Sequence, residues 1–393
     1  MKLFTEYPEK AEEKYSALVA QAAKANIENL YKEADRALRD THAKTHACVK
    51  GTLEIFDFDE AAIQETLKQR TALTDTQIER MALKQGLLAA PKQYPVWLRF
   101  ANGRSKVMND YESDTRSMSV KIIGVEGERL PQSHETQTQD IITQNAEIFF
   151  IKTIKNYYGF FTSVMKGGIF PLVWLLLHPK QFSALKSITS RYPKSLLTER
   201  YWSGSASTLG LPSNFDPSQS GQVPVTYPAV VKYAFTPVAS QSPYRQLPYE
   251  SRPEADRDRA KAESKQGTQD NYYRDELIQN LASPEAKHCW AFEIQVQTRP
   301  DMPIDDVAVV WPEADAPFFK VGRLTVAHQL VDFDQQCDFC ENLRFSPWNG
   351  LAVHRPVGAL NRLRSRIYTL IGEYRHQKRG TEYREPNGQE SFE

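Results

Sequence analysis

Cysteine is scarce in this chain: four among 393 residues, too few for a disulfide-built secreted scaffold. Neither sign of charge is in excess, with 49 Lys+Arg against 49 Asp+Glu, so the basic surplus expected of a general nucleic-acid binder is missing. No GxGxxG or GxxxxGK[ST] segment occurs, which leaves a phosphate-cradling nucleotide site without support. The most apolar run, Ile169 to Leu177, is nine residues long. A bilayer span needs about 20. That run therefore reads as a buried helix, with contact to a membrane surface as the alternative. The opening residues pass straight from Met1 into charged, helix-like sequence with no signal-peptide pattern, and the expected location is cytoplasmic.

What is present is ordinary for a globular domain, with 40% hydrophobic and 25% charged residues. Apolar residues fall at helical spacing through the first 40 positions, at Tyr15, Leu18, Val19 and Ala22, then Ile27, Leu30, Tyr31, Ala34 and Leu38. Strands are expected at 49–58, 96–100, 119–124 and 147–151, and again at 230–235, 291–297 and 323–327. Helix is expected over 155–195 and 253–283, a Ser/Gly/Pro-rich loop over 204–228, and a basic amphipathic helix over 357–376. Irregularly spaced strands with helices gathered at the start, middle and end point to an α+β fold.

Three segments carry candidate chemistry. In the first, Arg39 stands three residues before His42, where helix gives way to strand; His46 follows four residues later. The second has Asn145 just ahead of the apolar run Ile148 to Ile151. In the third, Arg364 precedes Tyr368 by four residues, a spacing that puts both on one helix face. A phenol with a pKa of about 10 ligates ferric iron only once deprotonated, and a guanidinium one turn away favours the phenolate. Read singly, each segment is more often structural than functional.

Together they resemble the haem catalases, over about residues 39–380. Arg39-x-x-His42-Ala43-Lys44 is similar to that family's distal-histidine motif, and Asn145-x-x-x-Phe149-Phe150-Ile151 to its distal-asparagine segment. Arg99-Phe100, Arg116 to Lys121, Tyr272 to Ile278, Ile294 to Thr298, Val310 to Pro312, Val321 to Leu324 and Phe345 to Pro347 follow the family's order, closed by Arg364-x-x-x-Tyr368. The resemblance implies an antiparallel β-barrel with helical additions: a helical segment at 1–38, a haem-binding domain at 39–380 and a tail at 381–393. It implies haem b as cofactor, Tyr368 as the iron ligand with Arg364 keeping it anionic, and Arg39, Arg99 and Arg375 at the propionates. His42 becomes the proton shuttle, chosen over His46 for its spacing from Arg39, and Asn145 the peroxide clamp.

Two positions depart from the family. Thr41 stands where true catalases usually have valine, as in the coral allene oxide synthases, and Ala101 replaces a hydroxylated residue that supports the distal histidine. Both argue against fast hydrogen peroxide dismutation. The expected activity is a peroxidase acting on organic or lipid hydroperoxides with weak dismutation. A lipid-hydroperoxide isomerase and a non-catalytic haem carrier or sensor are the alternatives. Neither nucleic acid nor a transmembrane span is expected, and a homodimer is compatible with the sequence. Cys337 and Cys340 have half the spacing of a zinc site, but neither His328 nor His354 completes a recognised set, so the pair reads as solvent-exposed or structural.

Overall fold

The computed structural model describes residues 2–32, 37–217 and 221–392. In chain order its strands are β1 (Thr5–Glu6), β2 (Thr45–Ile55), β3 (Lys92–Asn102), β4 (Arg116–Ile123), β5 (Thr138–Gln144) and β6 (Tyr201–Trp202). They continue with β7 (Ala206–Leu209), β8 (Val225–Thr226), β9 (Ala229–Val238), β10 (Lys287–Val296), β11 (Phe318–Ala327) and β12 (Pro356–Val357). The helices are α1 (Glu12–Leu30), α2 (Glu60–Arg70), α3 (Asp75–Glu79), α4 (Ile154–Lys166) and α5 (Phe170–Leu177). After them come α6 (Pro179–Thr189), α7 (Glu254–Ser264), α8 (Tyr272–Ala282), α9 (Phe333–Asn342) and α10 (Ala359–Arg379).

Eight strands pair antiparallel in the order β10-β11-β2-β3-β4-β5-β6-β9, and β9 pairs back onto β10 to close a barrel. Closure follows from period-two alternation, which sends every second side chain inward. Val96, Leu98 and Phe100 of β3, Met118, Val120 and Ile122 of β4, and Tyr233 and Phe235 of β9 all join one interior core. The intervening residues Trp97, Arg99 and Ala101 therefore point outward, and that outer face is where polar chemistry is held.

Helices cover this outer face. Val19, Ala23 and Ile27 of α1, Ile154 and Phe161 of α4, and Leu363, Ile367 and Ile371 of α10 form a second core. The 1–38 segment thus packs through α1 against the helix that carries Tyr368. Gly358 sets the entry to α10: its φ is +90°, and a Cβ there would collide with the carbonyl of Ile304. Helix α9 lies on β2, where Cys48, Trp97, Cys340 and Leu343 form a small cluster. The tail at 381–392 is tied back, with Glu385 accepting from the backbone N–H of Gln137 at 2.6 Å and Glu390 from the Trp97 indole at 3.0 Å.

Several sequence expectations need correction. The segment 147–151 is not a strand: β5 ends at Gln144, and Phe150 and Ile151 turn instead into an aromatic cluster with Phe160 and Ile188. Ile169 to Leu177 is helical over Phe170–Leu177, but no residue of α5 is buried, so the buried-helix reading fails. The expected helices at 155–195 and 253–283 are each broken, the first at Gly167, Gly168 and His178. Helices α2, α3 and α9 were not foreseen, and short strands β7 and β8 interrupt the expected loop at 204–228. Ala34, expected on the first helix, lies outside the described residues. No described helix is long and apolar enough to cross a membrane.

Candidate active site

A cleft partly open to solvent runs between α10 and the outer face of β3–β5. Arg39, Thr41, His42, Arg99, Tyr368 and Arg375 all line it, so six of the eight sequence-predicted site residues meet in one place. Arg364 and Asn145 are not among its lining residues.

His42 has a φ of +60°, a conformation that costs a non-glycine residue about 1–3 kcal/mol and persists only when its surroundings enforce it. They do so here by three hydrogen bonds. The His42 N–H donates to the Gly103 carbonyl at 3.1 Å. Its own carbonyl accepts from Arg99 at 2.7 Å. Its Nδ1 lies 2.8 Å from the Asn102 carbonyl oxygen, which makes Nδ1 the protonated nitrogen of the neutral ring and leaves Nε2 as the acceptor. The support that Ala101 cannot give thus comes from the next residue's backbone. Burial, then the charge of Arg99, presses the His42 pKa down to about 3.

His46 is fully buried and bound elsewhere. Its Nε2 sits 2.6 Å from Asn102 Oδ1 and its ring packs edge-on against Tyr273. It is a packing residue in this arrangement, outside the cleft lining.

Three arginines converge at one end of the cleft. Arg99 donates to Glu341 Oε1 at 3.0 Å and Arg375 to Glu341 Oε2 at 2.6 Å, while Arg39 Nε stands 3.7 Å from the same carboxylate. Glu341 comes from α9, and its role was not legible in the sequence. Burial opposes its ionisation, but Arg39, Arg99 and Arg375 overcome that and hold its carboxyl far below the usual carboxylate range. Burial and the neighbouring Arg39 also press Arg375 down to about 9. Both shifts have one electrostatic sense: a single negative charge among three positive ones leaves a positive excess.

Tyr368 is half-buried on α10 beside the second core and has no hydrogen-bond partner among the described residues. Arg364, one turn earlier, donates to Ser205 Oγ at 2.9 Å and Asn361 Oδ1 at 3.2 Å rather than to the phenol.

Asn145 is fully committed away from the cleft. Its Oδ1 accepts from the Arg116 N–H at 2.8 Å and its Nδ2 donates to Glu199 at 3.3 Å. Ser119 and Ile142 line the cleft, Ser119 pairs with Ile142, and Ser117 pairs with Gln144. Asn145 follows just beyond the end of β5, and Gln144, the last residue of the strand, shares the outer face. The Gln144 amide donates to the Ile148 carbonyl at 2.8 Å.

No protein-family model and no curated protein sequence matches this chain. Solved structures do. A fungal catalase superposes with a TM-score of 0.58 at 17% identity, over 86% of this chain and 59% of its own. A bacterial catalase gives 0.58 at 16%, over 91% and 63%, and catalase A from Saccharomyces cerevisiae gives 0.58 at 16%, over 86% and 62%. The chain has the catalase-like fold. It spans about six-tenths of the length of these catalases. Among the described residues no cluster of His, Cys, Asp and Glu could hold a metal ion. Cys337 is half-buried and Cys340 buried, as a structural pair would be.

Proposed function

We propose that this chain binds haem b through Tyr368 and cleaves peroxide O–O bonds, as a peroxidase acting on organic or lipid hydroperoxides with weak dismutation of hydrogen peroxide. One observation carries the reading: a histidine with its Nδ1 fixed and its Nε2 unprotonated lines the same cleft as an unpartnered tyrosine, beside an excess of positive charge. The donor set suits haem. A tyrosine oxygen is a recognised axial ligand of haem iron. The Nε atoms of Arg39 and Arg99 are buried without a hydrogen-bond partner, and three guanidiniums around one carboxylate leave a net charge that matches two propionates.

Haem iron, when bound, supplies the redox chemistry of O–O cleavage. The chain's part is acid–base. His42 Nε2 accepts the peroxide O–H proton and returns it to the leaving oxygen, which departs as water or an alcohol. Arg364 acts on Tyr368 by charge, its hydrogen bonds being spent on Ser205 and Asn361. Thr41 lines the cleft next to His42, and a hydroxyl there competes for hydrogen bonds with the bound peroxide or the histidine. That hydroxyl also favours the second reading, a lipid-hydroperoxide isomerase. Incubating haem-loaded protein with a fatty-acid hydroperoxide, with and without an electron donor, separates the two. A donor-dependent alcohol product supports the peroxidase, and a donor-independent rearranged product the isomerase. Failure to take up haem would overturn both.

Strand parity puts Gln144 on the outer face of β5, and neither it nor Asn145 is among the cleft's lining residues, so the two amides are compared directly. Gln144→Leu is expected to lower peroxide turnover about tenfold, the equivalent of one hydrogen bond, and to cost about 0.5–1.5 kcal/mol of stability through the lost bond to the Ile148 carbonyl. Asn145→Leu should instead cost about 1–3 kcal/mol of stability, because it strips partners from the buried Arg116 N–H and Glu199. Urea unfolding beside steady-state turnover reads both; the opposite pattern restores Asn145 to the site.

Glu341→Gln is expected to destabilise the haem-free chain by about 3–5 kcal/mol at neutral pH, since three buried guanidiniums lose their counter-charge. The loss should shrink in haem-loaded protein, where propionates supply negative charge. Because the folded-state pKa of Glu341 lies below its ordinary 4.5, its contribution is complete above that pH and fades as pH falls. Equal losses in both forms would argue that no anion joins this cluster.

A further inference from the structure

Between Glu147 and Glu199 the chain has no acidic residue and seven lysines or arginines. The middle of this stretch is α5, an eight-residue helix made only of apolar residues and with none of them buried. Ile169 just before it is 70% exposed, and Leu172, Leu176 and Leu177 on it are 53%, 62% and 73% exposed. Val164 and Met165 at the end of α4 and Phe182 on α6 extend the patch on either side. The helix is nevertheless held in place. Trp174 packs edge-on against Phe160 of α4 at 5.3 Å and stacks on His178 at 3.9 Å. One anchored face thus presents the other leucines outward.

Contiguous exposed apolar surface of this kind is uncommon on a monomer and marks a contact site. The charge around it says with what. Lys166, Lys180 and Lys186 are exposed at the rim and have no acidic partner among the described residues. Lys166 also lies 5.5 Å over the Phe170 ring. An apolar helix too short to cross a bilayer, ringed by free ammonium groups, matches the boundary between acyl chains and anionic headgroups. A second copy of this chain is a poorer occupant. A two-fold contact through the same patch would set lysine against lysine.

We propose that the surface centred on α5 docks onto the face of an anionic phospholipid bilayer, with Leu172, Leu176 and Leu177 entering the interface and Lys166, Lys180 and Lys186 meeting the headgroups. This does not depend on the haem reading, because the patch and its charges are properties of α4–α6 alone.

The test is flotation of the full chain with vesicles of phosphatidylcholine, alone or mixed with phosphatidylglycerol, at low and high salt. The expected result is association with the mixed vesicles that weakens in high salt and is much lower on phosphatidylcholine alone. The double variant Leu172→Glu/Leu176→Glu, altered only at exposed positions, should partition about tenfold less or worse, with an unchanged circular dichroism spectrum. Lys180→Glu/Lys186→Glu, which leaves the apolar face intact, should remove the preference for anionic vesicles. No association with phosphatidylglycerol vesicles would overturn the proposal, as would wild-type binding by the leucine variant. So would a lipid-free dimer that the leucine variant dissociates, since the patch would then be covered by a second copy.

Discussion

His42→Ala is expected to lower peroxide turnover by about 10²–10⁴-fold while haem content stays at the level of the unaltered protein. That range is what a positioned general acid–base contributes. Retention of haem separates loss of chemistry from loss of the site, because His42 supplies no iron ligand in this reading. His46→Ala is the contrasting variant. His46 is buried against Asn102 and Tyr273, so removing it should cost about 1–3 kcal/mol of stability and leave turnover per folded molecule nearly unchanged. Full activity in His42→Ala with loss in His46→Ala would exchange their roles. The pH profile offers an independent check. With its pKa pressed down to about 3, His42 is neutral, and therefore a base, from pH 5 to pH 8. Turnover should be flat across that window and fall only at more acid pH. An inflection near 6.5 that disappears in His42→Ala would mean that the imidazole is not held as described.

Tyr368→Phe should lower haem affinity by about 100-fold or more and abolish the ferric tyrosinate absorption spectrum. Losing a residue that merely supports a metal ligand already costs 10–100-fold, so losing the ligand itself should cost at least as much. The haem-free variant provides the control. Tyr368 makes no hydrogen bond among the described residues, so deleting its hydroxyl should leave unfolding free energy within about 0.5 kcal/mol. Haem titration followed by absorbance, alongside urea unfolding of the haem-free chain, measures both. A variant that binds haem with unaltered spectrum and affinity would place the axial ligand elsewhere.

Much of the candidate site was legible in the chain because its residues sit on short, regular spacings. Arg364 and Tyr368 lie one turn apart on a helix whose limits were placed within a few residues, and Arg39 and His42 flank the entry to β2. Such local relations survive folding, since helix and strand geometry fixes them. Sequence pattern was least informative where a single residue of position mattered. Gln144 ends β5 on its outer face, whereas Asn145 lies just past the strand and is held by the Arg116 N–H and Glu199. A pattern anchored on the downstream Phe149-Phe150-Ile151, which proved not to be a strand, could not choose between them. Ile169 to Leu177 was misjudged for a related reason: composition reports that a helix is apolar, whereas its exposure depends on what packs against it.

The α+β class, six of the eight barrel strands and the tyrosine-bearing last helix were set by residues near one another in sequence, through periodicity and spacing. The placement of Glu341 was not. It is brought to Arg39, Arg99 and Arg375 from α9, a helix that gave no clear signal of its own, by packing on the outer face of β2. Likewise the choice of His42 over His46 as the residue facing the cleft rests on which backbone carbonyls and carboxylates folding brings near each ring. Burial and charge neutralisation act through space, so these assignments had to wait for the assembled barrel and its helices.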